Sequence, residues 1–462
     1  MARMVVLPFV VAILALLFAR LSLSWCILLV AGGAYAVAVL LRPAIGLYGL
    51  AFAIPFGSLW RIPLGPALVG PSELLLVSVI ASWLVRVMAR RETVALGRRE
   101  IVAMGGLLFA LALSLVRVEN TTAALVEWLK WVEFLVLYLF VLQGISKDEQ
   151  QLLVTALLIA GALQALVGIY QFLRQVGPPE FILMGRYMRA AGTFEQPNPF
   201  GAYMGLVLPL AYSIIIAYVP RRAPKSLIRT AMWLLALVSG TALLLGLIMS
   251  WSRGALLGMA AGLALALVAK FRRYWLLAMV LALLLVMVGP QLVSLAPDDL
   301  VDRLLDITRY VGQDLTAIEI TDANFAVIER TAHWQAAWRM FEMHPWLGVG
   351  IGQYPVRYAE VAAPRWEHAL GHAHNIYLNL LAENGLVGLA AYLVMIGLFF
   401  WRAWHDSLRH RGWHQALALA ALGMLGHLFV HSLVDNLYVH QMYLLVAMIL
   451  ALIPAQSVTE VV

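Results

Sequence analysis

Uninterrupted apolar runs of about 16–22 residues recur along the whole chain, and they do not alternate with polar residues. A hydrocarbon bilayer about 30 Å thick is crossed by about 20 apolar helical residues, whereas a membrane barrel is written in short alternating strands. Of the 462 residues, 63% are hydrophobic and 12% charged. A water-soluble domain sits nearer 45–50% and about 25%. Lipid accepts the surplus apolar surface, and inside lipid each segment must satisfy its own backbone hydrogen bonds. The expected fold is therefore an all-α polytopic membrane protein.

Hydropathy marks about fourteen spans, near 4–19, 21–41, 44–60, 72–89, 101–118, 123–142, 152–174, 198–219, 230–250, 254–269, 274–295, 376–401, 413–431 and 435–453. The first two and last two are the weakest, giving an expected range of about 12–14 transmembrane helices. The first run lacks a small-x-small cleavage site and is followed directly by another, so it reads as a retained helix. Lys and Arg cluster after even-numbered spans, at Arg90/Arg91/Arg98/Arg99, Arg221/Arg222/Lys225/Arg229, Lys270/Arg272/Arg273 and Arg402/Arg409/Arg411. Basic loops stay in the cytoplasm. Both termini are then cytoplasmic, and the net charge of +7 reflects these loops rather than nucleic acid. The single cysteine, Cys26, permits no intrachain disulfide.

One connection is too long to be a simple loop. The chain divides into a transmembrane bundle (1–295), an outward, periplasmic loop (296–375) and C-terminal transmembrane helices (376–462). The loop opens on Asp298, Asp299, Asp302, Asp306 and Asp314. Asn324–Met343 reads as an amphipathic helix with Val327, Thr331, Trp334, Trp338 and Phe341 on one stripe. Its tryptophans suggest a position at head-group level.

The residues suited to chemistry gather on this outer side. His372 and His374 end the loop in Gly371-His-Ala-His-Asn375, and a membrane helix begins after them. A helix N-terminus disfavours imidazolium, and a neutral imidazole serves as general base. The other reading is a histidine hydrogen-bonded to head groups or backbone. Arg186, Arg189, Arg253 and Arg330 lie among apolar residues. Arginine grips phosphate through a planar fork, or else snorkels to head groups. Arg330 and Arg339 are nine residues apart and face opposite ways on their helix. Glu127, Lys130 and Glu133 are expected to pair with one another inside a span. His427, His431 and Asp435, spaced by four, read as an interhelical hydrogen-bond network or, less simply, a metal-binding face. No phosphate-binding loop, dinucleotide fingerprint or metalloprotease motif occurs.

An ordered set of motifs then resembles the bacterial O-antigen ligase and O-antigen polymerase superfamily. It comprises Arg189-Ala-Ala-Gly-Thr-Phe-Glu-Gln-Pro-Asn198, Ser252-Arg253-Gly254, Arg330 with Trp334, and His344-Pro-Trp-Leu-Gly-Val-Gly350. It closes with His374-Asn375, nine residues, then Gly385-x-x-Gly388, a spacing similar to the ligase signature. The resemblance covers roughly residues 186–390. It implies a membrane-embedded, GT-C-like glycosyltransferase of the inner membrane that acts on its periplasmic side. The implied donor is a glycan on undecaprenyl pyrophosphate and the implied acceptor a lipid A-core sugar. In that family a histidine acts on the acceptor hydroxyl, which corresponds to His374. Arginines hold the pyrophosphate, which corresponds to Arg253 and Arg330, with Arg189 beside them. His372 and Asn375 are supporting residues, and the second histidine leaves open which imidazole is the base. The implied reaction is inverting and uses neither metal nor other cofactor. An O-antigen polymerase, an O-linked protein glycosyltransferase and a solute transporter are the alternatives.

Overall fold

A computed structural model describes residues 22–60, 62–64, 67–90, 94–96, 98–183, 185–219, 227–274, 310, 312–321 and 324–453. The expected spans 4–19 and 274–295 lie outside these, apart from Tyr274, as do Arg91, Arg221, Arg222, Lys225 and Asp298, Asp299, Asp302 and Asp306. The chain is an all-α polytopic membrane protein. Its helices are α1 (Leu23–Leu41), α2 (Pro43–Phe56), α3 (Pro71–Arg90), α4 (Arg99–Leu113), α5 (Thr121–Gly144), α6 (Lys147–Arg174) and α7 (Pro197–Ala217). They continue with α8 (Leu227–Met249), α9 (Arg253–Lys270), α10 (Phe325–Met343), α11 (Tyr354–Val361), α12 (Ile376–Arg409), α13 (Gly412–His431) and α14 (Met442–Ala451). Two small antiparallel hairpins also form, β1 (Ile62–Leu64) with β2 (Ala67–Val69) and β3 (Ile182–Leu183) with β4 (Tyr187–Met188). Among the described residues, nine helices are long and apolar enough to cross a membrane.

Of these nine, α7 and α13 are the most deeply enclosed. Glycine lets their neighbours approach. On α9, Gly254, Gly258 and Gly262 repeat every fourth residue along one face. A Cβ at Gly258 would lie 2.7 Å from His427 Nδ1, and one at Gly262 would lie 2.2 Å from the Gly423 carbonyl oxygen. On α7, a Cβ at Gly205 would lie 1.9 Å from His427 Cε1. In lipid, helices associate through close packing of small residues rather than hydrophobic exclusion. His427 therefore fills a slot between α7 and α9, and its Nε2 lies 3.3 Å from His431 Nδ1 one turn along α13. The expected interhelical His427–His431–Asp435 network does not form. The two histidines bond within one helix, and Asp435 turns elsewhere.

Two other expectations are corrected. Lys130 pairs with Glu127, but Glu133 accepts from the Tyr443 hydroxyl instead. Arg402 is a buried arginine rather than a free loop charge: it pairs with Glu100 and donates to Tyr138 Oη and the Ile453 carbonyl at 2.8 Å. A guanidinium inside the bundle needs that carboxylate and those acceptors to offset its lost hydration.

The loop helix starts and stops as its sequence indicates, and Val327 and Thr331 of the expected stripe are buried, but the rest of the buried face differs. Ile328, Ala332, Ala336, Ala337 and Met340 are fully buried, while Trp338 is 48% exposed. Small residues win the inner face because the loop folds as a cap with its own core. Ala336, Ala337 and Met340 pack with Val349, Tyr354, Tyr358 and Ala382.

The cap is locked into α12 by a broken helix. Gly385 has φ 61° and ψ −162°, a region essentially reserved for glycine. The break frees backbone groups on both sides, and the segment Pro345–Gly350 satisfies them. Leu386 N–H donates to the Pro345 carbonyl at 2.8 Å, and Val349 and Gly350 N–H donate to Ala382 and Glu383 carbonyls at 2.9 Å. Non-helical backbone within a membrane bundle survives only when protein satisfies it in this way. The His344–Gly350 and Gly385-x-x-Gly388 motifs thus form one joint. A Cβ at Gly385 would lie 2.3 Å from the Trp346 carbonyl carbon. Gly385→Ala should destabilise the folded protein by about 3 kcal/mol or more, from backbone strain plus overpacking. Thermal unfolding in detergent measures it. Gly397→Ala, with nothing within 4 Å of the added Cβ, should leave stability unchanged or slightly raised. Equal unfolding temperatures for the two variants would refute the joint.

Candidate active site

Three arginines distant in sequence meet at one end of the bundle. Arg189 follows the β3–β4 hairpin, Arg253 opens α9, and Arg330 lies one turn into α10. All three line one cavity with Asn198, Trp251 and Trp334. Arg189 is fixed by its Nε donating to the Ser250 carbonyl at 2.9 Å and its Nη2 donating to Asn198 Oδ1 at 2.8 Å. Ser252, the N-cap of α9, makes no side-chain cap bond. The N–H groups of that first turn point toward the cavity end of α9 and add to the positive field. Arg330 Nε is buried with no acceptor among the described residues. Its Nη1 reaches only the Ala326 carbonyl, at 3.5 Å. A guanidinium with unsatisfied donors beside a helix N-terminus is suited to hold a phosphate-like anion. Arg339 faces away and donates to the Val361 carbonyl at 2.8 Å.

A second cavity adjoins the first. Asn198, Ala326, Arg330 and Asp435 line both, and the second adds His372, His374, Glu195 and Glu329. Burial pushes the Glu329 carboxyl up, and the charges of His374 and Arg330 offset this only in part.

The sequence holds His374 by a short tight turn. Asn375 is the N-cap of α12: its Oδ1 accepts from Tyr377 and Leu378 N–H, and its Nδ2 donates to the Leu433 carbonyl at 2.9 Å. Its supporting role is therefore to start the helix. His374 has φ 49°, in the left-handed region. Its backbone N–H donates to His372 Nδ1 at 3.1 Å. That bond requires His372 Nδ1 to be unprotonated. Burial, with His374 next, pushes His372 down to about 3, so it is neutral at physiological pH.

His374 Nδ1 lies 3.4 Å from Asp435 Oδ1. Its Nε2 is buried with no partner among the described residues. Burial alone would raise the Asp435 carboxyl, but the hydrogen bond and charge of His374, with the charge of Arg330, hold it well below the usual range. An ionised Asp435 fixes the Nδ1–H tautomer and leaves the Nε2 lone pair to accept a proton. Asp435 can do this because the expected span 435–453 shortens to α14, and residues 432–441 form turns in which His440 and Gln441 are left-handed.

His333 is a further residue that the apolar-stripe reading of α10 passed over. Its ring lies edge-on to His374 at 5.5 Å and stacks on Tyr358 at 4.8 Å. Its Nδ1 lies 2.9 Å from the Tyr354 hydroxyl, which donates to the His333 carbonyl. Burial, then the His374 charge, pushes it down to about 4. It backs the His374 imidazole as a neutral wall. Its place one turn from Arg330 was the signal available in the sequence.

A third cavity lies on the other side of His372. Glu127, Lys130, Asn379 and Asn436 line it. Among the described residues, ligand atoms of His372, His374 and Asp435 lie within 4.8 Å of one another, so this trio, rather than His427 with His431, is where a divalent cation would fit.

This arrangement defines a class: a polytopic helical membrane protein with an arginine-lined anion cavity joined to a histidine–carboxylate pair. Residues 238–393 match the O-antigen ligase domain family. The match covers about a third of the chain and includes Arg253, Arg330, His372, His374, Asn375 and Gly385, while Arg189 and Asp435 fall outside it. That domain supports a lipid-linked glycan transferase in general. No curated protein matches the chain.

Proposed function

We propose that the chain transfers a glycan from undecaprenyl pyrophosphate to a lipid A-core sugar hydroxyl at the periplasmic face of the inner membrane. The observation that carries this reading is a shared wall: Asn198, Arg330 and Asp435 line both the arginine cavity and the His374 cavity. A pyrophosphate seated among Arg189, Arg253 and Arg330 presents its sugar toward His374. The acceptor oxygen attacks the anomeric carbon as the bond to the pyrophosphate oxygen breaks. His374 Nε2 takes the hydroxyl proton, and Asp435 stabilises the imidazolium until the proton returns to solvent. The leaving pyrophosphate gains negative charge, which preorganised guanidinium groups stabilise. A single displacement inverts the anomeric centre. The donor is already activated, so the scheme uses no nucleotide and no metal. The third cavity suits the acceptor sugar, with Glu127, Asn379 and Asn436 available to its hydroxyls.

Purified protein with lipid-linked donor, a lipid A-core acceptor and excess chelator tests this reading. Transfer to the core acceptor is expected, at a rate unchanged by chelation. Loss of transfer restored by a divalent ion would move the mechanism to the His372–His374–Asp435 trio. Joining of two donor glycans, with the core acceptor ignored, would make the chain a polymerase instead.

Sidedness has its own check. With Cys26 removed, a cysteine at position 314 should react with a membrane-impermeant thiol reagent in intact spheroplasts. Reaction only after permeabilisation would invert the orientation.

A further inference from the structure

The far end of the bundle holds a second cationic cavity. It is lined by Lys147 at the start of α6, Tyr218 after α7, Arg229 on α8, and Arg411, Trp413 and His414 at the start of α13. These helices run from one site to the other: α7 carries Asn198 at its opposite end, and α13 ends on His431. We propose that this cavity binds the phosphate of an anionic phospholipid head group.

The lining residues include three permanent cations and no carboxylate. Lys147, Arg229 and Arg411 form no ion pair among the described residues. Arg229 is held in place, with its guanidinium 4.3 Å from the Tyr218 ring centre and its Nε donating to the Tyr218 carbonyl at 3.4 Å. The N-cap of α13, Arg411, makes no side-chain cap bond, and the first N–H groups of a helix have no partner within it. An independent observation comes from Trp413. It is only 5% exposed, yet its indole Nε1 is buried with no acceptor among the described residues. An indole nitrogen only donates. Cations, helix-end backbone donors and an orphaned indole N–H all ask for one occupant, an acceptor carrying negative charge.

Phospholipid fits better than free phosphate because residues next in sequence to the lining ones are apolar and exposed. Leu227 is 79% and Ile228 71% exposed, directly before Arg229, and Val219 is 52% exposed beside Tyr218. Acyl chains lying on these residues would bring the head group to the cavity. Tyr and Trp are the residues that settle at such an interface. Basic pockets between membrane helices bind acidic head groups by this combination.

The test titrates the full chain, purified in detergent, with phosphatidylglycerol, phosphatidylcholine or millimolar inorganic phosphate, reading bound lipid by native mass spectrometry and stability by thermal unfolding. Phosphatidylglycerol should remain bound and raise the unfolding temperature, while phosphatidylcholine and phosphate should do neither. The double variant Arg229→Gln/Arg411→Gln should bind phosphatidylglycerol about thirtyfold more weakly. Trp413→Phe keeps the ring and loses only the donor, so it tests the site even where the double variant fails to fold, and it should weaken binding severalfold. Undiminished phosphatidylglycerol binding in Trp413→Phe and the arginine variant would overturn the proposal. So would an equal response to phosphatidylcholine, or stabilisation by inorganic phosphate alone.

Discussion

His374→Ala should lower turnover by about 10²- to 10⁴-fold while leaving donor binding nearly intact, because a general base acts in the transition state. The geometry sharpens this expectation. His374 Nδ1 is committed to Asp435, and Nε2 is buried without a partner among the described residues. Asp435→Asn keeps an acceptor for the Nδ1–H but removes the charge that stabilises the imidazolium. It should cost about 10²-fold or more, again in turnover rather than in donor affinity. His372→Ala should cost less than either, because His372 accepts from the His374 backbone N–H and, on the proposed scheme, takes no substrate proton. Rates from purified variants, set beside donor binding and unfolding temperature, separate lost chemistry from lost folding. An active, folded His374→Ala with an inactive His372→Ala would exchange their roles. Near-normal turnover in the double variant would remove histidine base catalysis.

Arg330→Lys should reduce transfer by about 10²- to 10³-fold, the usual cost of removing a preorganised donor from a developing oxyanion. Lysine retains the charge but has neither the Nε nor the planar fork. In this chain it is the Nε of Arg330 that is buried and unmatched among the described residues. Arg253→Lys should behave alike, since both line the same cavity. Arg339→Lys is the control: its guanidinium holds the Val361 carbonyl on the other face of α10. It should stay within roughly twofold of wild type, as exposed substitutions usually do. Donor titrations at fixed acceptor measure all three. Equal retention of activity would place the pyrophosphate elsewhere.

The sequence made much of this site legible, and the misses share a cause. Arg189, Arg253 and Arg330 stood out because a guanidinium among apolar residues is costly and so needs a reason. His374 stood out because it closes the loop just before a helix. Asp435 was visible but misassigned. Its spacing from His427 and His431 looks like one helical face, and hydropathy continues to residue 453. The helix in fact ends at His431, and residues 432–441 turn the carboxylate toward His374. Such turns leave little trace in a sequence of uniformly high hydropathy. The break at Gly385 was hidden for a similar reason, because glycine is common within membrane helices and shows no irregular backbone by itself. The buried face of α10 was only partly read: Val327 and Thr331 of the expected stripe are buried, but tryptophan outweighed the small and aliphatic residues Ile328, Ala332, Ala336, Ala337 and Met340, which complete the inner face while Trp338 stays exposed.

The central claim is that the arginine cavity and the His374–Asp435 pair act together on one glycosidic bond. A single-turnover reaction tests it most directly, with purified chain, labelled lipid-pyrophosphate glycan and excess acceptor, the new bond being read by NMR. The account predicts release of undecaprenyl pyrophosphate in step with a product of inverted anomeric configuration, and loss of that burst in His374→Ala despite bound donor. A retained configuration, or an undiminished burst in the folded variant, would contradict it.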